Sequence, residues 1–203
     1  FPVKISLEMI PNGKPTVLYN PHWVPGQSSF FKFGLQILDF FAVTEQYNLI
    51  FAPHSLLFVR NKRFWLKMLQ YKKYSNILIN TGSETGNDMT YTKTADLYLG
   101  DSSSQALEFL LIKERPCLFL DAYELQKTGE DQFIAWTLGD VISDLDHFEI
   151  ALDKAFEAHE HKYFKLQKEL MNEMFEKTSS APSYLAAEAV SNLFEYDYSK
   201  IEL

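Results

Sequence analysis

The chain has 203 residues, 46% of them hydrophobic and 23% charged, the mix of a packed globular protein long enough to bury a large core. Its formal net charge of -8 excludes a broad nucleic-acid groove, which needs a basic footprint, so any anion site must be local. The lone cysteine, Cys117, excludes an internal disulfide, no Cys/His cluster has zinc spacing, and no apolar run reaches the roughly 18 residues of a membrane span.

Residues 1–15 hold three prolines and a Pro11-Asn12-Gly13 turn signal, and are expected to be a lead-in linker. Short apolar runs then alternate with helical stretches. The runs are Thr16–Asn20, Asn48–Ala52, Asn76–Asn80, Leu97–Gly100 and Cys117–Asp121, with a weaker sixth at Asp140–Ser143. Each is continuous rather than alternating, as strands covered on both faces are. The segments between them, Phe30–Gln46, Leu56–Lys73, a short one near Asp88–Thr94, and Ser103–Lys113, suit crossover helices. This order predicts an α/β fold, a Rossmann-like parallel sheet of about six strands with helices on both faces, over residues 16–145. Residues 146–203 are expected to be C-terminal helices packing on the same domain. Asp146–Lys177 carries a helical stripe from Phe148 to Phe175, Thr178–Ser183 breaks it, and a second helix runs from Tyr184 to about Phe194. With 17 Phe and 11 Tyr, the core is expected to be built on rings.

Open parallel sheets bind ligands beyond the carboxyl ends of their strands. Four strand exits here are polar: Asn20-Pro21-His22-Trp23, Pro53-His54-Ser55, Thr81-Gly82-Ser83-Glu84-Thr85-Gly86 and Asp101-Ser102-Ser103-Ser104. The last is the sharpest. A strand ends at Gly100 and a helix starts near Ser103, so Ser102, Ser103 and Ser104 lie where free N–H groups and the helix dipole receive a phosphate. Glu108 rises one turn above Ser104 on the same face, where a carboxylate can accept from both hydroxyls of a ribose. The competing reading is plain N-capping by Asp101 or Ser102, with Glu108 a solvated charge. His54 can touch a diphosphate or move a proton, or be an ordinary loop histidine. His22 has the same placement but reads as part of a packed turn. Gly82 and Ser83 lack the Gly-Lys-Ser/Thr ending of a P-loop and read as a flexible site loop or a turn. His159 and His161, two apart on a helix, diverge too far to share a metal and are expected to be solvated. No metal and no cofactor are expected.

The run from Ala95-Asp96 through Gly100-Asp101-Ser102-Ser103-Ser104 to Glu108-Phe109, followed by Lys113-Glu114-Arg115-Pro116 before a strand, resembles a signature of CDP-glycerol glycerophosphotransferases. These are teichoic-acid-type polymerases of the GT-B fold. Thr16–Trp23 and Phe51-Ala52-Pro53-His54 resemble two further strand exits of that family, the second with its His and Pro in reversed order. The resemblance implies that Ser102, Ser103 and Ser104 bind a donor diphosphate, that Glu108 replaces the family's Asp as ribose ligand, that His54 contacts the transferred phosphoryl group, and that Asp101 shapes the loop. It implies CDP-glycerol or a related nucleotide as donor, a polyol-phosphate or glycan acceptor, and a separate N-terminal GT-B half holding the general base. Gly100, Ser102 and Glu108 depart from the family's Thr, Tyr and Asp. Glu108 also resembles the UDP-N-acetylglucosamine 2-epimerases of the same fold, so a UDP-sugar enzyme stays open beside the first reading, as does a non-catalytic interaction module. The chain opens on Phe1-Pro2 without Met and shows no signal peptide. It is therefore expected to be a piece of a longer cytoplasmic protein, with the whole at the inner face of the membrane.

Overall fold

In a computed structural model that describes residues 12–54, 56–57, 62–80, 89–125, 134–175 and 180–194, the apolar runs form six strands. They are β1 Thr16–Asn20, β2 Asn48–Phe51, β3 Ile77–Ile79, β4 Leu97–Gly100, β5 Cys117–Leu120 and β6 Asp140–Ile142. All pair in parallel, in the order β3-β2-β1-β4-β5-β6. That is the doubly wound order, with its switch point between β1 and β4.

The helices are α1 Phe30–Val43, α2 Lys62–Leu69, α3 Thr90–Thr94, α4 Ser104–Ile112, α5 Phe148–Ala158, α6 Phe164–Met174 and α7 Pro182–Phe194. Strand side chains alternate between two cores. Val17, Tyr19, Leu49, Phe51, Leu97 and Leu99 meet Phe33, Ile37, Leu38 and Phe41 of α1 and Phe148 and Leu152 of α5. Leu18, Ile50, Tyr98 and Phe119 meet Tyr91 of α3, Ala106, Phe109 and Leu110 of α4, and Met171 of α6. The first core is a network of rings, with Phe30 against Phe51 and Phe64, and Phe40 and Phe41 against Phe148.

Between α5 and α6 the chain passes from one face of the sheet to the other. The turn is made without a break, through a π-helical segment, His159–Tyr163. An extra residue in the hydrogen-bond ladder bends a helix without unpairing it. His159 therefore turns inward. It is 9% exposed and shares a hydrogen bond with Gln167, contrary to the expectation that it is solvated, whereas His161 is exposed. The last helix starts two residues earlier than expected, because Pro182 suits the first helical position. Its described side chains are exposed except half-buried Leu185. No described helix is long and apolar enough to cross a membrane.

Candidate functional site

At the switch point the last rung pairs Asn20 with Gly100. Nothing larger than hydrogen fits on Gly100: a Cβ would lie 2.8 Å from the Asn20 carbonyl oxygen and 2.9 Å from Tyr98 Oη. The two strand exits are thus held in close approach. Asn20 Nδ2 in turn donates to the Ala52 carbonyl at 2.5 Å, drawing the β2 exit alongside.

Two helices present their amino ends here, α1 after β1 and α4 after β4, and they differ. The Asp101 carboxylate accepts from the backbone N–H of His22 at 2.7 Å and of Ser29 at 2.9 Å. Ser29 is the N-cap position of α1, so an internal carboxyl group fills that helix's positive end. Asp101 is 2% exposed, and burial outweighs these hydrogen bonds, raising its pKa to about 7. At α4 the expected caps, Asp101 and Ser102, are not used. Ser103 caps instead, its Oγ accepting from Gln105 N at 3.2 Å, and the first turn contains no acidic residue. Ser104 is exposed, Ser102 and Ser103 are half-buried, and Glu108 is exposed one turn on. The amino end of α4 is therefore positive, open and lined by hydroxyls.

Two hydroxyls are buried without a hydrogen bond, Ser28 Oγ next to the α1 cap and Tyr98 Oη on β4. The second lies near Ser103 but outside hydrogen-bond geometry. Beside Ser102 a narrow crevice is lined by Gln27, Asp121, Tyr123, Leu125 and Trp136.

On the β2 side, His22 and His54 lie with ring centroids 6.5 Å apart. Trp23 packs against both, at 5.8 and 6.0 Å. Each ring's Nδ1 accepts a backbone N–H two residues on, from Val24 at 3.1 Å and from Leu56 at 3.2 Å. A neutral ring held that way carries its proton on Nε2 and can only donate there. Burial, and then the neighbouring His54, hold His22 below the usual imidazole range.

The structure thus brings Asp101, His22 and His54 into one neighbourhood at the β1 exit, with Ser102, Ser103 and Ser104 following directly on Asp101. Gly82 and Ser83 lie outside the described residues. Sequence reasoning missed Ser29 and Asn20, whose contacts are long-range, and undervalued Trp23. Among the described residues no group of three or more His, Cys, Asp or Glu side chains is arranged to hold a metal.

No family model matches the sequence, and no curated protein matches it. Solved structures do match its fold. Wall teichoic acid polymerase TagF aligns at 16% identity with a TM-score of 0.56, over 92% of this chain and 44% of its own. A single-site variant of TagF gives the same identity and TM-score over 93% of this chain and 47% of that one. The catalytic domain of starch synthase IV from Arabidopsis thaliana, bound to ADP and acarbose, aligns at 14% identity with a TM-score of 0.50, over 88% and 37%. This chain spans less than half the length of each. Likeness at these identities establishes architecture, and the chain has the Rossmann-like α/β fold found in GT-B glycosyltransferases.

Proposed function

We propose that the chain is the donor-nucleotide half of a glycerophosphotransferase that takes CDP-glycerol, or a closely related nucleotide-linked polyol phosphate, as donor. The observation that carries this reading is the contrast between the two helix ends at the switch point: α1 is filled by Asp101, whereas α4 stays open behind Ser102, Ser103 and Ser104. A TagF variant soaked with CDPG, which aligns with this chain at 16% identity and a TM-score of 0.54, is a precedent for such a donor on this fold.

In this reading the diphosphate rests on the first turn of α4, held by its N–H groups and the serine hydroxyls. Glu108 accepts from the ribose hydroxyls. His54 donates through Nε2 to a phosphoryl oxygen. The acceptor hydroxyl attacks the β-phosphorus in line, the bond from that phosphorus to the bridging oxygen breaks, and CMP leaves with the electron pair. Hydrogen-bond donors fixed in advance stabilise the charge that grows on the CMP side. The hydroxyl proton goes to a base supplied from outside this domain. An acceptor of polyol-phosphate or glycan type completes the reaction. A second reading, a nucleotide-sugar donor, draws on the ADP-bound starch synthase and on Glu108.

Calorimetric titration of CDP and CMP into the wild type and into a Ser103→Ala/Ser104→Ala double variant tests the proposal. Binding to the wild type that the double variant loses is the expected result, and equal binding by both ends the phosphate assignment. A UDP- or ADP-sugar that outcompetes CDP would transfer the site to the second reading. The isolated 203-residue chain is expected to release no CMP from CDP-glycerol.

A further inference from the structure

We propose that His22 and His54 form a two-imidazole clamp whose paired Nε2–H donors close on the donor diphosphate from the β2 side, facing the amino end of α4 across the end of β1. The inference rests on the nucleotide reading above and adds a ligand-contacting residue, His22, to it.

Four observations carry it. The two rings are fixed alike, each with Nδ1 accepting the backbone N–H two residues on, so each turns a protonated Nε2 away from its own chain. They stand side by side at 6.5 Å, and Trp23, packed on both, sets that spacing. No described residue hydrogen-bonds either Nε2, and both residues are only half-buried. Finally, the Asp101 carboxyl accepts the main-chain N–H groups of His22 and Ser29 and makes no hydrogen bond to either ring. Two oriented donors without an acceptor among the described residues are complementary to an external one carrying several oxygens.

The geometry also locates that acceptor. β1 lies between β2 and β4, so the histidines at the β1 and β2 exits and the serines at the β4 exit flank one carboxyl end. A diphosphate seated on Ser103 and Ser104 has its other face toward the clamp. Because its Nδ1 accepts the Val24 N–H, and burial and His54 disfavour the charged ring, its contribution is a directed hydrogen bond from Nε2. A neutral donor of similar reach can therefore replace it, and an inert ring cannot.

Calorimetry with CDP and with inorganic pyrophosphate, on the wild type, His22→Phe and His22→Gln, tests the clamp. His22→Phe keeps a ring for Trp23 and removes the donor. It is expected to bind both probes about tenfold more weakly, the loss of one hydrogen bond to a charged group. His22→Gln restores a donor at the Nε2 position and is expected to stay within about threefold of wild type. If His22→Phe binds like wild type while Ser103→Ala/Ser104→Ala is weakened, the clamp is refuted and the nucleotide site stands. Equal weakening of both His22 variants makes the ring mere packing and also refutes it. If no protein binds either probe, the nucleotide reading falls and the clamp with it. A readout that needs no variant is the imidazole nitrogen spectrum of the wild type. Pyrophosphate is expected to shift the Nε2 resonances of both histidines, and an unmoved His22 signal overturns the proposal.

Discussion

Asp101 should make the protein less stable as pH rises through neutrality. Its carboxyl titrates at about 7 in the folded chain, against the ordinary 3.8, and burial is the largest cause. Between those values the folded protein holds a proton that the unfolded chain has released, so the group's contribution is complete at low pH and is lost as pH climbs through 7. From about pH 5 to about pH 8 two units lie below the folded pKa, each worth about 1.4 kcal/mol, so the loss is about 2.5 kcal/mol. Asp101→Asn removes the titration. It also turns one acceptor into a donor, so either the His22 or the Ser29 N–H loses its partner, at a cost of about 1–3 kcal/mol that does not vary with pH. Urea unfolding of both proteins at the two pH values separates the effects, since other titrating groups cancel in the difference. The variant should lie below wild type at about pH 5 and close most of the gap by about pH 8. A constant gap at both pH values would refute the buried-carboxyl reasoning.

Gly100→Ala should cost about 1–3 kcal/mol and abolish the proposed nucleotide binding, because its Cβ meets a carbonyl oxygen at 2.8 Å and the strands must part. An unchanged melting temperature would show that the close approach is not real. Gln167→Ala should destabilise by about 3 kcal/mol without altering CDP affinity. It strips partners from the buried N–H and C=O of Arg115 and the C=O of Leu138, all at the sheet's amino edge. Chemical unfolding beside calorimetry checks both halves of that statement.

The sheet was legible because strands buried on both faces carry unbroken apolar runs, and the strand bounds differ from the expected ones by a residue at most. Periodicity also located the C-terminal stripe. It could not reveal the π segment, because no residue type encodes an extra backbone step. Nor could it show His159 buried, because what makes burial tolerable is Gln167 eight positions on, already bound to the main chain of Arg115. The misassigned cap has the same origin. Asp101 sits just before α4 in sequence, and local rules assign it there. Its partners are His22 and Ser29, more than 70 residues earlier, brought near only by the parallel pairing of β1 with β4. Gly100, where the family that the sequence resembles carries Thr, is explained by the same pairing: Asn20 O and Tyr98 Oη fill the space a side chain would need.

The two ends of α4 support placing the proposed ligand here on an acidic protein. At its carboxyl end Arg115 stacks over Phe109 at 3.6 Å and donates to the Phe109 carbonyl at 2.6 Å, and to the carbonyls of Thr92 and Ala95 at 2.9 and 2.7 Å. One guanidinium thus satisfies carbonyls at the ends of both α3 and α4, the negative ends of their dipoles. Burial lowers its pKa to about 10, which leaves it charged at neutral pH. At the amino end of α1 the matching role falls to Asp101. The Arg115 charge thus neutralises the carboxyl ends of α3 and α4, and the Asp101 carboxyl fills the amino end of α1. The amino end of α4 receives none, only the Ser103 hydroxyl, which caps one N–H and carries no charge. That open end is where the proposed diphosphate would sit, an anion of about the reach of three serines.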